Sequence, residues 1–360
     1  MHDWRRDLGE AVAGCAAEVR FAEPMAQHTT FRIGGLADAW VRVDDRPALS
    51  RVLSVCRDAG VRTWLLGRGS NVLVSDQGLR GVVICLGGEL ARIEGVKDSG
   101  TPVSGARPLE SSSPGILSVG AGAALDAIAD SAEKEGLVGA EFLAGIPGTV
   151  GGGLHSNAGA FGRSLGDIVA SVTVIDPEGN ELVLTGAQLR REYRRPMLDD
   201  GLVAVEVKVE LARGEVRGSR GDSPAEIRSQ RWSKHPKEPS AGSFFRNPET
   251  GDGGRVPAGR LIEQCGLKGR AIGGARVSEK HANFIVNAGG ARFADVYELV
   301  QIIKATVEEQ TGILLEEEVR YLPGPDEGRA RNQGVRDQGS GVRVRRPIPE
   351  LRSPAPEDRR

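Results

Sequence analysis

Ser243 stands in Ala241-Gly-Ser-Phe-Phe245, a run only loosely like the G-x-S-x-G elbow that exposes a nucleophilic serine. Its hydroxyl could close a turn or donate a proton to a strongly basic intermediate. Tyr193-Arg-Arg-Pro196 sets two guanidinium groups beside a proline turn. A guanidinium fits a carboxylate or phosphate through paired donors, although a solvated charge is the plainer role. Glu316, Glu317 and Glu318 are consecutive carboxylates. Strand alternation would put Glu317 with Leu315, Val319 and Tyr321, and Glu316 and Glu318 with Arg320. Spacing alone does not choose among the three. The five histidines, His2, His28, His155, His235 and His281, form no H-x-x-x-H pair and have no cysteine at ligand spacing, so no metal site is expected.

A different chemistry is offered by glycine. Between Gly145 and Gly162 seven of eighteen residues are glycine, where average usage of about 7% would give roughly one. Without a Cβ the backbone can lie flat against a ligand and turn several N–H groups toward an anion such as a diphosphate. The interleaved Ile146, Pro147, Val150, Leu154 and Phe161 argue against a flexible linker. A second glycine turn, Gly67-Arg-Gly-Ser-Asn71, follows the expected strand Thr63–Leu66. The carboxyl end of a strand is where open α/β sheets place ligands. The dinucleotide fingerprint G-x-G-x-x-G is broken by Val72.

Asp44-Asp45 cap a helical pattern with Leu49, Val52, Leu53 and Cys56 on one face, and Gly60 closes it. Val82–Leu86 and Ile116–Val119 read as strands, with a short helix about Leu125, Ile128 and Ala129. Residues 97–115, rich in Ser, Pro and Gly, read as a mobile insertion. Val169–Ile175 and Glu181–Thr185 flank Pro-Glu-Gly-Asn as a hairpin, and Val203, Val205, Val207 and Val209 alternate along a half-buried strand. A helix at Gly259–Cys265, a strand at Asn283–Asn287, a long helix from Phe293 to Gln310 and a strand at Ile313–Tyr321 complete the ordered chain. Residues 323–360 are expected to be disordered.

At 360 residues, with 39% hydrophobic and 27% charged residues, the chain suggests a globular protein of two or three domains. A net charge of -2 argues against a general nucleic-acid binder. Residues 1–20 lack the apolar run of a signal peptide, and no run of eighteen apolar residues spans a membrane. The four scattered cysteines read as separate thiols of a reducing cytoplasm.

Taken in order, these residues resemble the FAD-dependent UDP-N-acetylenolpyruvoylglucosamine reductases. The matching motifs are Thr29-Thr-Phe-Arg-Ile-Gly-Gly35, Leu66-Gly-Arg-Gly-Ser-Asn-Val-Leu-Val-Ser-Asp76 and Glu141-Phe-Leu-Ala-Gly-Ile-Pro-Gly-Thr-Val-Gly-Gly152. They continue with Asn157-Ala-Gly-Ala-Phe-Gly162, Tyr193-Arg194 and Ala241-Gly-Ser-Phe-Phe-Arg-Asn-Pro248. Gly266-Leu-Lys-Gly269, His281-Ala-Asn-Phe-Ile-Val-Asn287 and Leu315-Glu-Glu-Glu-Val319 complete the set, which covers roughly residues 20–322.

The resemblance implies an α+β chain with a two-lobed FAD-binding fold of the vanillyl-alcohol-oxidase (PCMH) type and a separate α/β substrate-binding domain. Expected boundaries are 1–85 for the first lobe, joined by 313–322, then 86–222 for the second lobe, 223–312 for the substrate domain and 323–360 for the tail. FAD would be held by Gly67, Arg68, Gly69, Ser70 and Asn71, and by Gly145, Ile146, Pro147, Gly148, Thr149, Gly151 and Gly152. NADPH would supply hydride, and UDP-N-acetylglucosamine enolpyruvate would receive it. The resemblance makes Ser243 the proton donor, assisted by Arg194 and Glu318, with Lys234, Asn247, Lys268 and His281 toward the substrate. No nucleic acid, membrane insertion or obligate protein partner is implied, and the enzyme would be cytoplasmic. A PCMH-type oxidase or dehydrogenase, and an inactive flavin-binding relative, are the competing expectations. The chain departs from the family in Pro196, where a serine is usual, and in His155-Ser156. No tyrosine lies between Tyr193 and Tyr297, which fits a shorter subtype without a tyrosine flap.

Overall fold

The computed structural model describes residues 3–98, 114–214, 223–249 and 253–323. The expected tail from 324 onward and most of the expected insertion lie outside the described residues.

The first sheet runs in the order Ala17–Pro24, Leu36–Val43, Leu79–Leu86, Thr63–Leu65. Its first pair is antiparallel and the others are parallel. The helix Arg46–Asp58 covers it because Asp45 accepts a hydrogen bond from the Ala48 amide (2.7 Å), Pro47 suits the first helical turn, and Ala48, Leu49, Val52 and Cys56 are buried on one stripe. An N-terminal helix, Trp4–Val12, packs Leu8 and Val12 into the same core. Neither it nor the strand after it was expected.

The second sheet is antiparallel, ordered Glu181–Thr185, Val169–Ile175, Val203–Arg213, Gly115–Gly120, Ile93–Asp98. The expected hairpin is present, and Val203, Val205, Val207 and Val209 are all buried. Asp98 and Gly115 pair directly, so the expected insertion joins neighbouring strands. Helix Leu125–Lys134 packs Leu125, Ile128 and Ala132 against this sheet's core.

The third sheet is Ser240–Ser243, Phe284–Asn287, Ala275–Val277, Ala271–Ile272. Helix Phe293–Thr311 lays Val296, Leu299, Val300, Ile303 and Val307 on it, as their spacing requires. Phe31, Ile33 and Leu73 from the first part of the chain share this core.

The chain's last strand is shorter than expected. Only Arg320–Leu322 is strand, and it pairs in parallel with Val72–Val74. Residues before it bond instead to the segment after Ser243: Arg246 N donates to Glu316 O (2.9 Å) and Glu318 N to Phe244 O (2.8 Å). These two strand ends therefore bring Glu318, the first glycine turn and Ser243 to one place.

Candidate active site

The two glycine turns touch. Gly69 has φ +59, and a Cβ there would fall 2.4 Å from the His28 carbonyl oxygen, so only glycine fits. A Cβ on Gly67 would sit 2.2 Å from Thr149 Oγ1. Ser70 Oγ donates to Pro147 O (2.9 Å), and Thr149 caps the helix Val150–Ser156 through the Gly152 amide (3.3 Å). Both turns line one cavity of ≈ 690 Å³, together with Leu66, Ala121, Gly122, Leu125, Leu154 and Ala204. That volume and apolar lining suit a bound small molecule or cofactor.

Part of the second turn is committed inside the protein. Val150 N donates to Ala123 O (2.9 Å), Gly151 N to Ala121 O (2.7 Å) and Gly153 N to Thr149 O (2.8 Å), so these amides are committed inside the protein. The amides of Gly67, Arg68, Gly69 and Ser70 find no acceptor among the described residues. The amides of Gly148 and Thr149 likewise find no acceptor among the described residues, so both turns offer N–H groups to an anion, and the second also provides a Cβ-free wall that a flat ligand can approach. This donor set, with its glycine cradle, fits a flavin dinucleotide. Asn71, expected as a cofactor contact, gives its side-chain amide to Glu318 O (3.1 Å), so it locates the carboxylate's backbone.

Arg194, Ser243 and Glu318 all line the same cavity. Arg194 Nε lies 3.0 Å from Glu318 Oε1, with the side chains 20% and 15% exposed. Burial raises the Glu318 carboxyl above its ordinary value, against the opposing charges of Arg194 and Arg246. Glu317 instead pairs with Lys304 (3.0 Å) and Glu316 with Arg246 (3.6 Å), which distinguishes Glu318 from its neighbours. Ser243 ends its strand opposite Phe284 after a register shift, and Gly242 takes φ +79 against the first glycine turn. That bulge turns the strand end toward the cavity.

Arg194 is held from the glycine-dense stretch. Its Nη2 donates to Gly159 O (3.0 Å) and Nη1 to Asn157 O (3.5 Å). Asn157, 2% exposed and left-handed at φ +43, donates from Nδ2 to both Arg191 O and Glu192 O (3.1 Å each). Its Oδ1 accepts from Gly166 N (2.9 Å). The motif Asn157-Ala-Gly-Ala-Phe-Gly162 carried this residue, but nothing in its spacing assigned it a task.

Arg231, His235 and His155 also line the cavity and were not expected there. Helix Pro224–Lys234 places Arg231, because Arg228 pairs with Asp126 (2.8 Å) and Asp130 (2.6 Å) and clamps this helix to Leu125–Lys134. Arg231 donates to Phe142 O (3.0 Å), and burial together with the charge of Arg194 lowers its pKa. Burial pushes the His155 and His235 imidazoles down to about 4, so both are neutral at pH 7.

The four expected substrate contacts lie outside the cavity lining. Lys234 is exposed in the last turn of its helix. Lys268 pairs with Glu263 (2.6 Å). Asn247 Oδ1 accepts from Ala258 N (3.0 Å), and His281 Nδ1 accepts from Asn283 N (3.2 Å). Asn247 and His281 thus support the local backbone around Ser243's sheet.

Comparison with known proteins identifies the family. A family profile described as UDP-N-acetylenolpyruvoylglucosamine reductase, C-terminal domain, matches residues 234–322, and an FAD binding domain profile matches 37–185. UDP-N-acetylenolpyruvoylglucosamine reductase 2 of Symbiobacterium thermophilum is 41% identical over 303 residues, 84% of this chain and 91% of that protein. The reductase of Geotalea uraniireducens is 40% identical over 312 residues, 86% of this chain and 96% of its own. The crystal structure of UDP-N-acetylenolpyruvylglucosamine reductase from Thermus caldophilus superposes with a TM-score of 0.64 at 31% identity, covering 85% of this chain and 98% of that one. The fold is accordingly α+β, an FAD-binding part followed by a separate C-terminal domain, and the chain belongs to the UDP-N-acetylenolpyruvoylglucosamine reductase family.

Proposed function

We infer that this chain reduces UDP-N-acetylglucosamine enolpyruvate to UDP-N-acetylmuramate, with FAD as cofactor and NADPH as reductant, in the synthesis of peptidoglycan precursors. The observation that carries the reading is the convergence of Arg194, Ser243 and Glu318 on the cavity walled by both glycine turns. Bound FAD supplies hydride, taken from NADPH, to the methylene carbon of the enolpyruvyl group.

The protein's part follows from charge. Hydride arriving at the methylene carbon leaves negative charge on the carbon that bears the carboxylate. Arg194, largely withdrawn from water, lowers the cost of that charge more than a solvated arginine would. Ser243 Oγ donates the proton that completes the lactyl ether. A serine is a weak acid near neutral pH, yet a carbanion-like centre held beside it is basic enough to take its proton. Glu318 fixes the orientation of Arg194 through their ion pair. The free amides of Gly67–Ser70, with those of Gly148 and Thr149, would hold the cofactor's diphosphate, and the Cβ-free wall at Gly148–Gly152 would let it approach closely. Arg231 adds a second buried cation for an anionic ligand group.

The same reading divides the chain into two cofactor lobes, 1–85 with 313–322 and 86–222, and a substrate domain, 223–312. It places the enzyme in the cytoplasm with its nucleotide substrates and requires no protein partner. Among the described residues no helix is long and apolar enough to cross a membrane. The test is anaerobic. Yellow purified protein should be bleached by NADPH and recoloured by the enolpyruvyl sugar nucleotide, giving a product heavier by two hydrogens. Recolouring by oxygen alone would make it a flavin oxidase, and a colourless protein that binds no FAD would remove the reading.

A further inference from the structure

Tyr193 is 41% exposed and precedes the left-handed Arg194 (φ +54). Such a backbone conformation in arginine persists only where its surroundings hold it. The loop is pinned at Arg191 and Glu192 by Asn157, while Tyr193 projects beyond those bonds. Its ring is met by the guanidinium of Arg255, with Cζ 3.6 Å from the ring centroid. Arg194 Cζ lies 5.4 Å from the same centroid.

Arg255 comes from the chain segment that follows Ser243. That segment is closed at its base by Val256 N to Pro248 O and Ala258 N to Asn247 Oδ1, both 3.0 Å. Glu249 and Arg255 face each other in an isolated bridge, and Arg255 Nη2 donates to Glu249 Oε1 (2.9 Å). One arm therefore springs from the serine's strand and grips the residue next to Arg194. A guanidinium stacked on tyrosine gives a planar contact that an ammonium does not reproduce.

We propose that Arg255 is a positioning residue. Its stack on Tyr193 clasps the arm to the Arg194 loop and sets the place of the Arg194 guanidinium relative to Ser243 when the enolpyruvyl carboxylate docks. The proposal rests on the reductase reading and adds a specificity element to it. The clasp acts after cofactor reduction, because Arg194 serves the charge formed on the sugar substrate.

The test uses flavin-loaded full-length protein and compares wild type with Arg255→Ala, Arg255→Lys, Tyr193→Ala and Tyr193→Phe. Arg255→Ala and Tyr193→Ala should each weaken binding of UDP-N-acetylglucosamine enolpyruvate and slow reoxidation about five- to tenfold. NADPH bleaching should stay at the wild-type rate. The double variant should be no worse than either single one, Tyr193→Phe should match wild type, and Arg255→Lys should fall between. Limited trypsin cleavage after Arg190, Arg191 and Arg194 should speed up in Arg255→Ala, a readout that needs no substrate. Wild-type reoxidation and unchanged cleavage in Arg255→Ala, or additive single effects, overturn the clasp. Wild-type protein that the sugar nucleotide fails to reoxidise overturns the functional reading, and the trypsin comparison still decides whether Arg255 holds the loop.

Discussion

Arg194 Nε and Glu318 Oε1 meet at 3.0 Å across the seam between the loop leaving the second sheet and the segment that crosses Ser243's strand. The pair is enclosed, and desolvation prevails at Glu318, whose carboxyl is raised despite the neighbouring cations. A charge kept under such conditions usually marks function more than stability.

Glu318→Gln should therefore stabilise the fold while impairing catalysis. Because the folded-state pKa lies above the unfolded value, the carboxyl's favourable contribution is full below the unfolded pKa and is lost as pH rises through the folded one. At pH 8 the glutamine variant should melt higher than wild type, and the gap should close as pH falls toward the unfolded carboxyl's value. Scanning calorimetry at both pH values checks this, and a lower melting temperature for the variant at pH 8 would count against the raised carboxyl.

His155 predicts the opposite pH behaviour. Its imidazole is lowered to about 4 by burial and by Arg320, with Asp200 opposing. The folded state thus resists protonation, so this stability is complete above the unfolded value near 6.5 and is lost as pH falls toward 4. The loss should reach roughly 1–3 kcal/mol at pH 4. His155→Phe should flatten the acid limb of the stability curve. Parallel limbs for variant and wild type would remove His155 from that role.

Asn157 joins the cofactor wall to the Arg194 loop through three side-chain hydrogen bonds. Asn157→Gly keeps the left-handed backbone and deletes the bonds, at about 1 kcal/mol each. Asn157→Ala adds strain at φ +43 and should be less stable still. Denaturant melts give the order wild type, Gly, Ala. Asn157→Gly should keep its flavin but reoxidise slowly with the sugar nucleotide, and unchanged reoxidation would mean that the loop holds Arg194 without this anchor.

Gly67→Ala places a methyl against Thr149 Oγ1, the cap of the helix in the second turn. The two turns must then separate, and FAD should dissociate at least about tenfold more readily, as judged by flavin retained on gel filtration. Adding Thr149→Ala should restore part of the retention. Full retention in Gly67→Ala alone would show that the turns need not touch.

Local signals explain how far the sequence could be read. The helix after Asp45, the hairpin at Pro177–Asn180, the alternating valines of 203–209 and the apolar stripe of Phe293–Thr311 all follow from nearest-neighbour periodicity and caps. The glycine turns were legible because only close approach explains so many glycines, but not which of their amides stay free. That depends on Ala121 and Ala123, which no spacing links to Gly151 and Val150. Arg231 was hidden for a similar reason, since within its helix it looks like Arg228 until the Asp126 and Asp130 pairing turns one arginine away from the cavity. The long final strand failed because residues 315–319 satisfy their backbone on Phe244–Arg246, a tertiary choice that alternation does not record.

The most direct test of the convergence of Arg194, Ser243 and Glu318 is rapid mixing of NADPH-reduced protein with UDP-N-acetylglucosamine enolpyruvate, wild type against Ser243→Ala. Bleaching by NADPH should proceed at the same rate in both, and reoxidation of the variant should slow about 10²- to 10⁴-fold, the range for a lost proton donor. Reoxidation of Ser243→Ala at the wild-type rate would contradict the role of Ser243 as the proton donor.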